Sequence, residues 1–249
     1  MFTLRKISGK KRWFKVLFKV EMNNAIKNFL ETDLIYNLNI LGVIDNVPTI
    51  ELYVDNEEDP RGVLVKKDYF NYIYTEDDSF LNEVLETFFK DGFYGFSGVK
   101  RSIAEKIRSR FQVSWESPCS LYYLPKENLD LNSIKNPVAS INIEDAETVD
   151  KYYTYRHPGS LEIIKNDIRK RPSSAVYVDG ELVCWVLIHD DDSMGIMYTK
   201  EGHRKKGYAV DVSIDLAEKV INRGKIPFLQ IVEGNNMSPG LAIKCGFIP

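Results

Sequence analysis

Between residues 194 and 221 the pattern of apolar and polar positions changes period once, and the rest of the chain is organised around that change. Ile196 and Tyr198 suit a pleated, half-buried strand over 194–199. From Tyr208 to Ile221 the apolar positions recur at helical spacing, with Val210, Ile214, Ala217 and Val220 or Ile221 on one face. Between the two lies a polar loop, His203, Arg204, Lys205 and Lys206, closed by Gly207. A glycine there lets backbone approach a ligand closely. The start of the helix adds unpaired N–H groups and the positive end of its dipole. With three cations beside it, this stretch predicts an anion site, most simply for phosphates.

The same reading extends along the chain. A helical pattern covers 11–32, and 33–44 is ambiguous between helix and strand. Asp45, Asn46 and Pro48 mark a turn. Strands are predicted at 49–54, 62–67 and 69–74, with an acidic hairpin loop over 56–62. A helix follows at 80–90, capped by Asp78 or Ser79. Then come a strand at 93–96, a helix at 99–111, and a strand over 112–124 interrupted at Ser117 and Pro118. The second half repeats that order. Helices at 145–155 and 160–170 precede strands at 175–178 and 181–188, joined by the hairpin turn Asp179-Gly180. The strand, loop and helix of the previous paragraph come next, ending at Gly224. A strand at 227–232 and a short helix at 238–244 complete the pattern. The expected fold class is α/β (α+β), two units in tandem, with domains at 1–125 and 141–249 and a polar linker at 126–140.

The anion loop separates several families. Gly202 and Gly207 have the spacing of a P-loop, but Tyr208 and Ala209 stand where that motif needs Lys and Ser or Thr. The dinucleotide fingerprint is absent from this loop. Arg204, Gly207 and Ala209, following a strand, resemble the pyrophosphate loop of the GNAT N-acyltransferases. Asn235 and Ser238, leading a helix that ends at Gly246 and Phe247, resemble that family's closing pattern. Residues 172–185 resemble one branch, the glycine N-acyltransferase-like (FR47-like) proteins. The resemblance covers about 141–247. It implies tandem GNAT-like folds, each a central mixed, mostly antiparallel sheet flanked by helices. The first would be degenerate, because Glu76, Asp77 and Asp78 occupy the place of the basic loop and would repel phosphates.

The resemblance also implies a chemistry: acyl transfer from acetyl-CoA or another acyl-CoA to the primary amine of a small molecule such as an amino acid. Met197, Tyr198, Thr199, Arg204, Lys205, Lys206, Gly207, Tyr208, Ala209, Asn235 and Ser238 would hold the co-substrate. Two central parallel strands would splay, leaving backbone near Met197 and Tyr198 to meet the pantetheine arm and the thioester oxygen. A protonated amine must lose a proton before it attacks. The family's Glu falls at Ser193, beside Asp190, Asp191, Asp192 and His189, and Glu233 is a second candidate base. The family's proton-donating Tyr falls at Ala242, so Tyr198 or Ser238 would substitute. The expected catalytic set is therefore Tyr198, Glu233 and Ser238. These departures keep open an alternative, a non-catalytic coenzyme A-binding regulatory module. After Phe247 the family adds a strand, whereas this sequence ends at Pro249: either that strand is missing here or the N-terminal half closes the sheet.

Composition narrows the picture further. At 249 residues the length allows one large domain or two smaller ones, and 44% hydrophobic with 12% aromatic residues is ample for a packed core. A net charge of −3 gives no global basic field for nucleic acid. Cys119, Cys184 and Cys245 form no paired framework, which points to a reducing, cytoplasmic setting. Cys245 reads as a buried structural thiol. No apolar run reaches the roughly 20 residues of a membrane span, so no membrane partner is expected. The dispersed histidines predict no metal site. Arg5, Lys6, Lys10, Lys11, Arg12, Lys15 and Lys19 read as the outer face of an N-terminal helix. Arg156 is a candidate for a substrate carboxylate. A monomer or a homodimer is expected.

Overall fold

The computed structural model describes residues 17–249 in full and residues 2–4 as backbone. The chain divides into two compact units, Met1–Ser117 and Pro118–Pro249.

The first unit contains β1 (Phe2–Leu4), β2 (Phe18–Val20), α1 (Asn24–Glu31), α2 (Leu34–Asn46), β3 (Glu51–Val54), β4 (Gly62–Lys67), β5 (Phe70–Thr75), α3 (Asp78–Phe88), β6 (Gly92–Phe96), α4 (Arg101–Arg108) and β7 (Gln112–Val113). They form one sheet in the order β2-β3-β4-β5-β6-β1-β7. Every pairing is antiparallel except β5 with β6, which run parallel and register at two residue pairs, Phe70 with Gly95 and Asn71 with Phe96. One face packs Ile26, Leu30, Ile40 and Val43 of α1 and α2 against Leu52, Val63 and Tyr72. The other packs Phe80, Val84, Ile103 and Ile107 of α3 and α4 against Leu64 and Ile73.

The second unit contains β8 (Cys119–Tyr123), α5 (Ala146–Lys151), α6 (Ser160–Lys170), β9 (Ser173–Val178), β10 (Glu181–Ile188), β11 (Met194–Thr199), α7 (Tyr208–Ile221), β12 (Phe228–Val232) and α8 (Ser238–Lys244). Here the strands fall into two sheets, β11-β10-β9 and β12-β8. β10 is buried along 182–188, as a central strand covered on both faces must be. Val183, Val186 and Ile188 pack with Val212, Ile214, Leu216 and Ala217 of α7. Trp185 and Leu187 pack with Val149 and Ile164 of α5 and α6.

The two units repeat one topology, with two helices, three antiparallel strands, a helix, a strand and a helix in each. Each is closed by its own first strand. β1 lies beside β6 and is flanked by β7. β8 lies beside β12 and is bridged on its other side by Ile248, through Tyr123 N–H to Ile248 O at 3.0 Å and the reverse bond at 2.9 Å. The edge of β12 is thus occupied by residues 119–123.

Three expectations change. The helix read over 11–32 is shorter, because 18–20 form an edge strand and the Asn23 side chain, accepting from Ile26 N–H at 2.9 Å, starts the helix at Asn24. Lys19 lies on that strand, 2.8 Å from Glu51, while positions 5–16 lie outside the described residues. The cap of α3 is Asp77, one residue before Asp78 and Ser79, and its carboxylate accepts from Phe80 N–H at 2.8 Å. Residues 126–140 are part of the second unit: two 3-10 turns, Lys126–Asn128 and Leu131–Ser133, bring Leu129, Ile134 and Val138 against the α7 core. The ambiguous stretch 33–44 is helical.

Asp211, buried in the first turn of α7, accepts from Lys135 N–H at 2.8 Å and Asn136 Nδ2 at 2.6 Å. Asp211→Ala is expected to leave both donors unpaired and to destabilise the second unit by about 2–4 kcal/mol. Urea unfolding monitored by Trp185 fluorescence checks this.

Candidate functional site

The site is built on the edge of β11. That strand pairs with β10 alone, and its other edge faces no ladder partner among the described residues because β12 belongs to a separate sheet. The register with β10 shifts between Trp185 and Leu187, a bulge on the β11 side. Ile196 at the bulge has φ +50°. A β-branched residue in the left-handed region is strained, at a cost of roughly 1–3 kcal/mol, and such strain gathers at functional backbone. The bulge turns Met197 to the α7 core, while Ile196 and Tyr198 face α5 and α6.

Beyond β11, the turn Glu201–His203 leads to Arg204, whose Nε donates to Thr199 O at 3.2 Å. Its guanidinium lies 5.7 Å from the centre of the Tyr198 ring. Lys205 at φ +61° and Gly207 at φ +90° curl the backbone into the start of α7. None of the backbone N–H groups from Lys205 to Ala209 donates to a backbone carbonyl among the described residues. Lys205 and Lys206 are exposed, with no acidic partner among the described residues. A cavity of about 200 Å³ is lined by Thr199, His203, Arg204, Lys205, Lys206, Gly207, Tyr208, Ala209 and Val210. A Cβ at Gly207 would meet little, with Asn136 Nδ2 at 3.9 Å its nearest neighbour, so here it is the left-handed backbone that calls for glycine. Successive N–H groups at a helix start with three cations around them are the arrangement that general anion chemistry favours, which makes this loop the candidate anion site.

The remaining sequence candidates divide. Tyr198 is held by aromatic neighbours, stacked on Tyr152 at 4.5 Å and tilted against Trp185 at 5.4 Å. Asn235 turns inward to its own chain: Oδ1 accepts from Met237 N–H at 3.1 Å and Ser238 N–H at 3.0 Å, and Nδ2 donates to Ser238 Oγ at 2.9 Å. Asn235, two residues before the N-cap Met237, therefore holds the turn that leads into α8. Glu233 lies exposed just past β12, with its N–H on Pro118 O at 2.8 Å. Arg156 pairs with Asp150 at 2.7 Å, so it braces its own loop. Burial pushes the Cys184 and Cys245 thiols up to about 11, which keeps both protonated at neutral pH and leaves Cys245 a packing residue.

At the opposite end of β11 the structure gathers groups the sequence had scattered. His189, Asp191 and Ser193 form the turn before the strand, with Asp191 Oδ1 accepting from Ser193 N–H at 3.0 Å and Oγ at 2.5 Å. Asp192 pairs with Lys225 at 2.5 Å. Asp167 of α6 and Arg171, the residue just past its end, are buried together and paired. Burial outweighs that pairing and pushes the Asp167 carboxyl up to about 6. Burial also raises the Tyr153 phenol. Sequence reasoning missed Asp167. Its signal was an acid three residues after Ile164 on the apolar face of α6, with Arg171 one turn on.

The FR47-like protein family model matches residues 177–249. A Drosophila melanogaster protein of 14% identity superposes over 100% of this chain and 95% of its own, with a TM-score of 0.68. An acetyltransferase from the GNAT family of Colwellia psychrerythraea, at 12% identity, covers 94% of this chain and 96% of its own with a TM-score of 0.54. A tandem GNAT protein from the clavulanic acid biosynthesis pathway, at 11%, covers 94% and 95% with a TM-score of 0.51. The fold is that of tandem GNAT proteins, and the FR47-like match lies within its second unit. At these identities the likeness to the solved structures is one of fold. No curated protein matches the sequence. The tandem GNAT fold accounts for the repeat of topology and for the separation of β11 from β12. Among the described residues, no helix is long and apolar enough to cross a membrane.

Because the native Asp167 carboxyl holds its proton more tightly than an unfolded Asp, at about 4, the native state is favoured while that proton stays bound. Wild type is expected to lose about 2–3 kcal/mol of stability as pH rises through the window from about 4 to about 6. Asp167→Asn is expected to flatten that slope. Urea midpoints measured across the window check it, the slope being the readout and not the absolute level.

Proposed function

We propose that this chain is an acyl-CoA-dependent N-acyltransferase, with acetyl-CoA as donor and the primary amine of a small molecule such as an amino acid as acceptor. The observation that carries the reading is the run of unpaired N–H groups from Lys205 to Ala209 under Arg204, Lys205 and Lys206, set at the end of an unpaired strand edge. The diphosphate of coenzyme A would suit that receptor, with the Arg204 guanidinium 5.7 Å from the Tyr198 ring centre at its rim. The pantetheine amides fit the free backbone of Met197 to Thr199, and a backbone N–H near the bulge would hold the thioester oxygen as charge develops on it. Direct attack by the amine then transfers the acyl group.

Tyr198, Glu233 and Ser238 belong to this reading in different degrees. Tyr198 lies on the strand that would carry the thioester, whereas the Ser238 hydroxyl is tied to Asn235. The alternative, a regulatory module that binds coenzyme A without turnover, draws support from the same packing. Tyr198 is fixed in an aromatic stack, and Ala242 stands where the family's proton donor would be.

Calorimetric titration with acetyl-CoA tests the reading. Wild type is expected to bind. Gly207→Val places a branched side chain at φ +90°, and Lys205→Glu with Lys206→Glu reverses the charge; each should weaken binding at least about tenfold, or 1.4 kcal/mol. A folded wild type that does not bind would sink the acyltransferase reading. Binding with no thiol release for any amine would favour the regulatory module.

A further inference from the structure

We propose that His189 takes the proton from the incoming amine and that Asp167 is the positioning residue for its imidazole; the inference rests on the acyltransferase reading above. His189 follows β10 and opens the turn into β11, with its N–H on Ser193 O at 2.9 Å and its carbonyl accepting from Asp192 N–H at 3.0 Å. The ring lies across β11 at Gly195, where a Cβ would stand 2.3 Å from Nε2. Gly195 adjoins the bulge at Ile196. Nε2 therefore lies over the face of β11 at Gly195, one residue before the bulge whose backbone would take the thioester.

The other ring nitrogen, Nδ1, stands 3.9 Å from Asp167 Oδ2. At that distance the contact is electrostatic, longer than a hydrogen bond. Asp167 is 2% exposed, and its Oδ2 has no hydrogen-bond partner, while Oδ1 is taken by Arg171. Arg171 is held in turn by Ile188 O, 3.1 Å from its Nε. A buried carboxylate oxygen without a partner is costly unless a positive group comes to face it. A protonated imidazole at His189 supplies that group. The other groups around the pair are Arg171 just past α6, Tyr153 after α5, and Asp190 and Asp191 of the same turn. The His189 side chain is 28% exposed, so a proton taken at Nε2 can pass to water.

The step balances. His189 Nε2 removes one proton from the ammonium. The freed lone pair forms the C–N bond while the carbonyl pair moves to oxygen. That pair returns as the C–S bond breaks, and the second nitrogen proton passes to the departing thiolate. His189 then releases its proton to solvent.

Thiol release from acetyl-CoA is measured with glycine, spermidine and tyramine as amine probes, from mildly acidic to alkaline pH. Thermal melting and acetyl-CoA calorimetry accompany each variant. His189→Gln is expected to lower kcat about 100-fold with acetyl-CoA binding intact. His189→Ala should regain activity with added imidazole. Asp167→Asn should lower kcat and move the acid limb of kcat/KM to lower pH, because the imidazolium loses its counter-charge; a merely structural Asp167 would change melting without moving that limb. A folded His189→Gln enzyme as fast as wild type overturns the proposal and leaves the acyltransferase reading standing. An unmoved limb in Asp167→Asn removes Asp167 from it. A wild type that binds acetyl-CoA but releases no thiol with any probe overturns both.

Discussion

Backbone N–H and C=O groups must find partners, and the second unit leaves two sets of them unclaimed at one place. One is the free edge of β11; the other is the run of donors from Lys205 to Ala209. The surrounding architecture keeps them open. β8 takes one edge of β12, and Ile248 takes the far edge of β8. β10, buried on both faces, fixes β11 from one side only. α7 is fixed to the sheet by its apolar face, and residues 135–136 are fastened to its first turn by Asp211. The strained backbone at Ile196 persists because packing on both faces of β11 over-determines it.

β11 also separates two kinds of electrostatics. Its C-terminal end runs into exposed cations whose attraction for phosphate is partly screened by salt. Its N-terminal end meets a turn carrying Asp190, Asp191 and Asp192 and, on α6, the Asp167 carboxyl, buried and raised by desolvation. A chain of net charge −3 thus carries a local basic receptor and a local acidic cluster a few residues apart on one strand. Local field, and not the total, is what a ligand meets there.

Much of this was legible in the sequence because the relevant signals are local. The change of period at 194–221 marked β11 and α7, and the left-handed Gly207 was readable as a glycine between a strand and a helix. The turn Asp179-Gly180 marked the β9–β10 hairpin for the same reason. What could not be read depended on contacts distant in sequence. The polar stretch 126–140 looks like a linker until Asp211, some 75 residues on, supplies its hydrogen bonds. The strand 119–123 belongs with β12 through pairings more than 100 residues apart. Asp167 meets His189 only once α6 and the β10–β11 turn are brought together. The N-terminal helix was over-extended because three residues at an edge strand are too few to break a helical period.

The first unit gives an internal comparison for the same architecture. Its β5, α3 and β6 repeat β11, α7 and β12, and its parallel strands register at two residue pairs where β11 and β12 register at none. The helix start is where the units differ. Asp77 turns its own carboxylate onto Phe80 N–H and Ser79 Oγ, and those hydrogen bonds hold it below the usual carboxylate range. Arg61 stands over it, but its charge is met by Asp55 at 2.6 Å, Asp77 at 3.3 Å and Glu83 at 3.6 Å. A helix start filled by a side-chain carboxylate has nothing to gain from a phosphate. It would exchange a tethered anion for a free one and bring like charges together. The second unit places its acid, Asp211, one turn further in, where it serves residues 135–136 and leaves the donors at the helix start free. The position of one carboxylate relative to the helix start therefore separates a self-capped helix from one whose first donors stay open, which is what the proposed anion site needs.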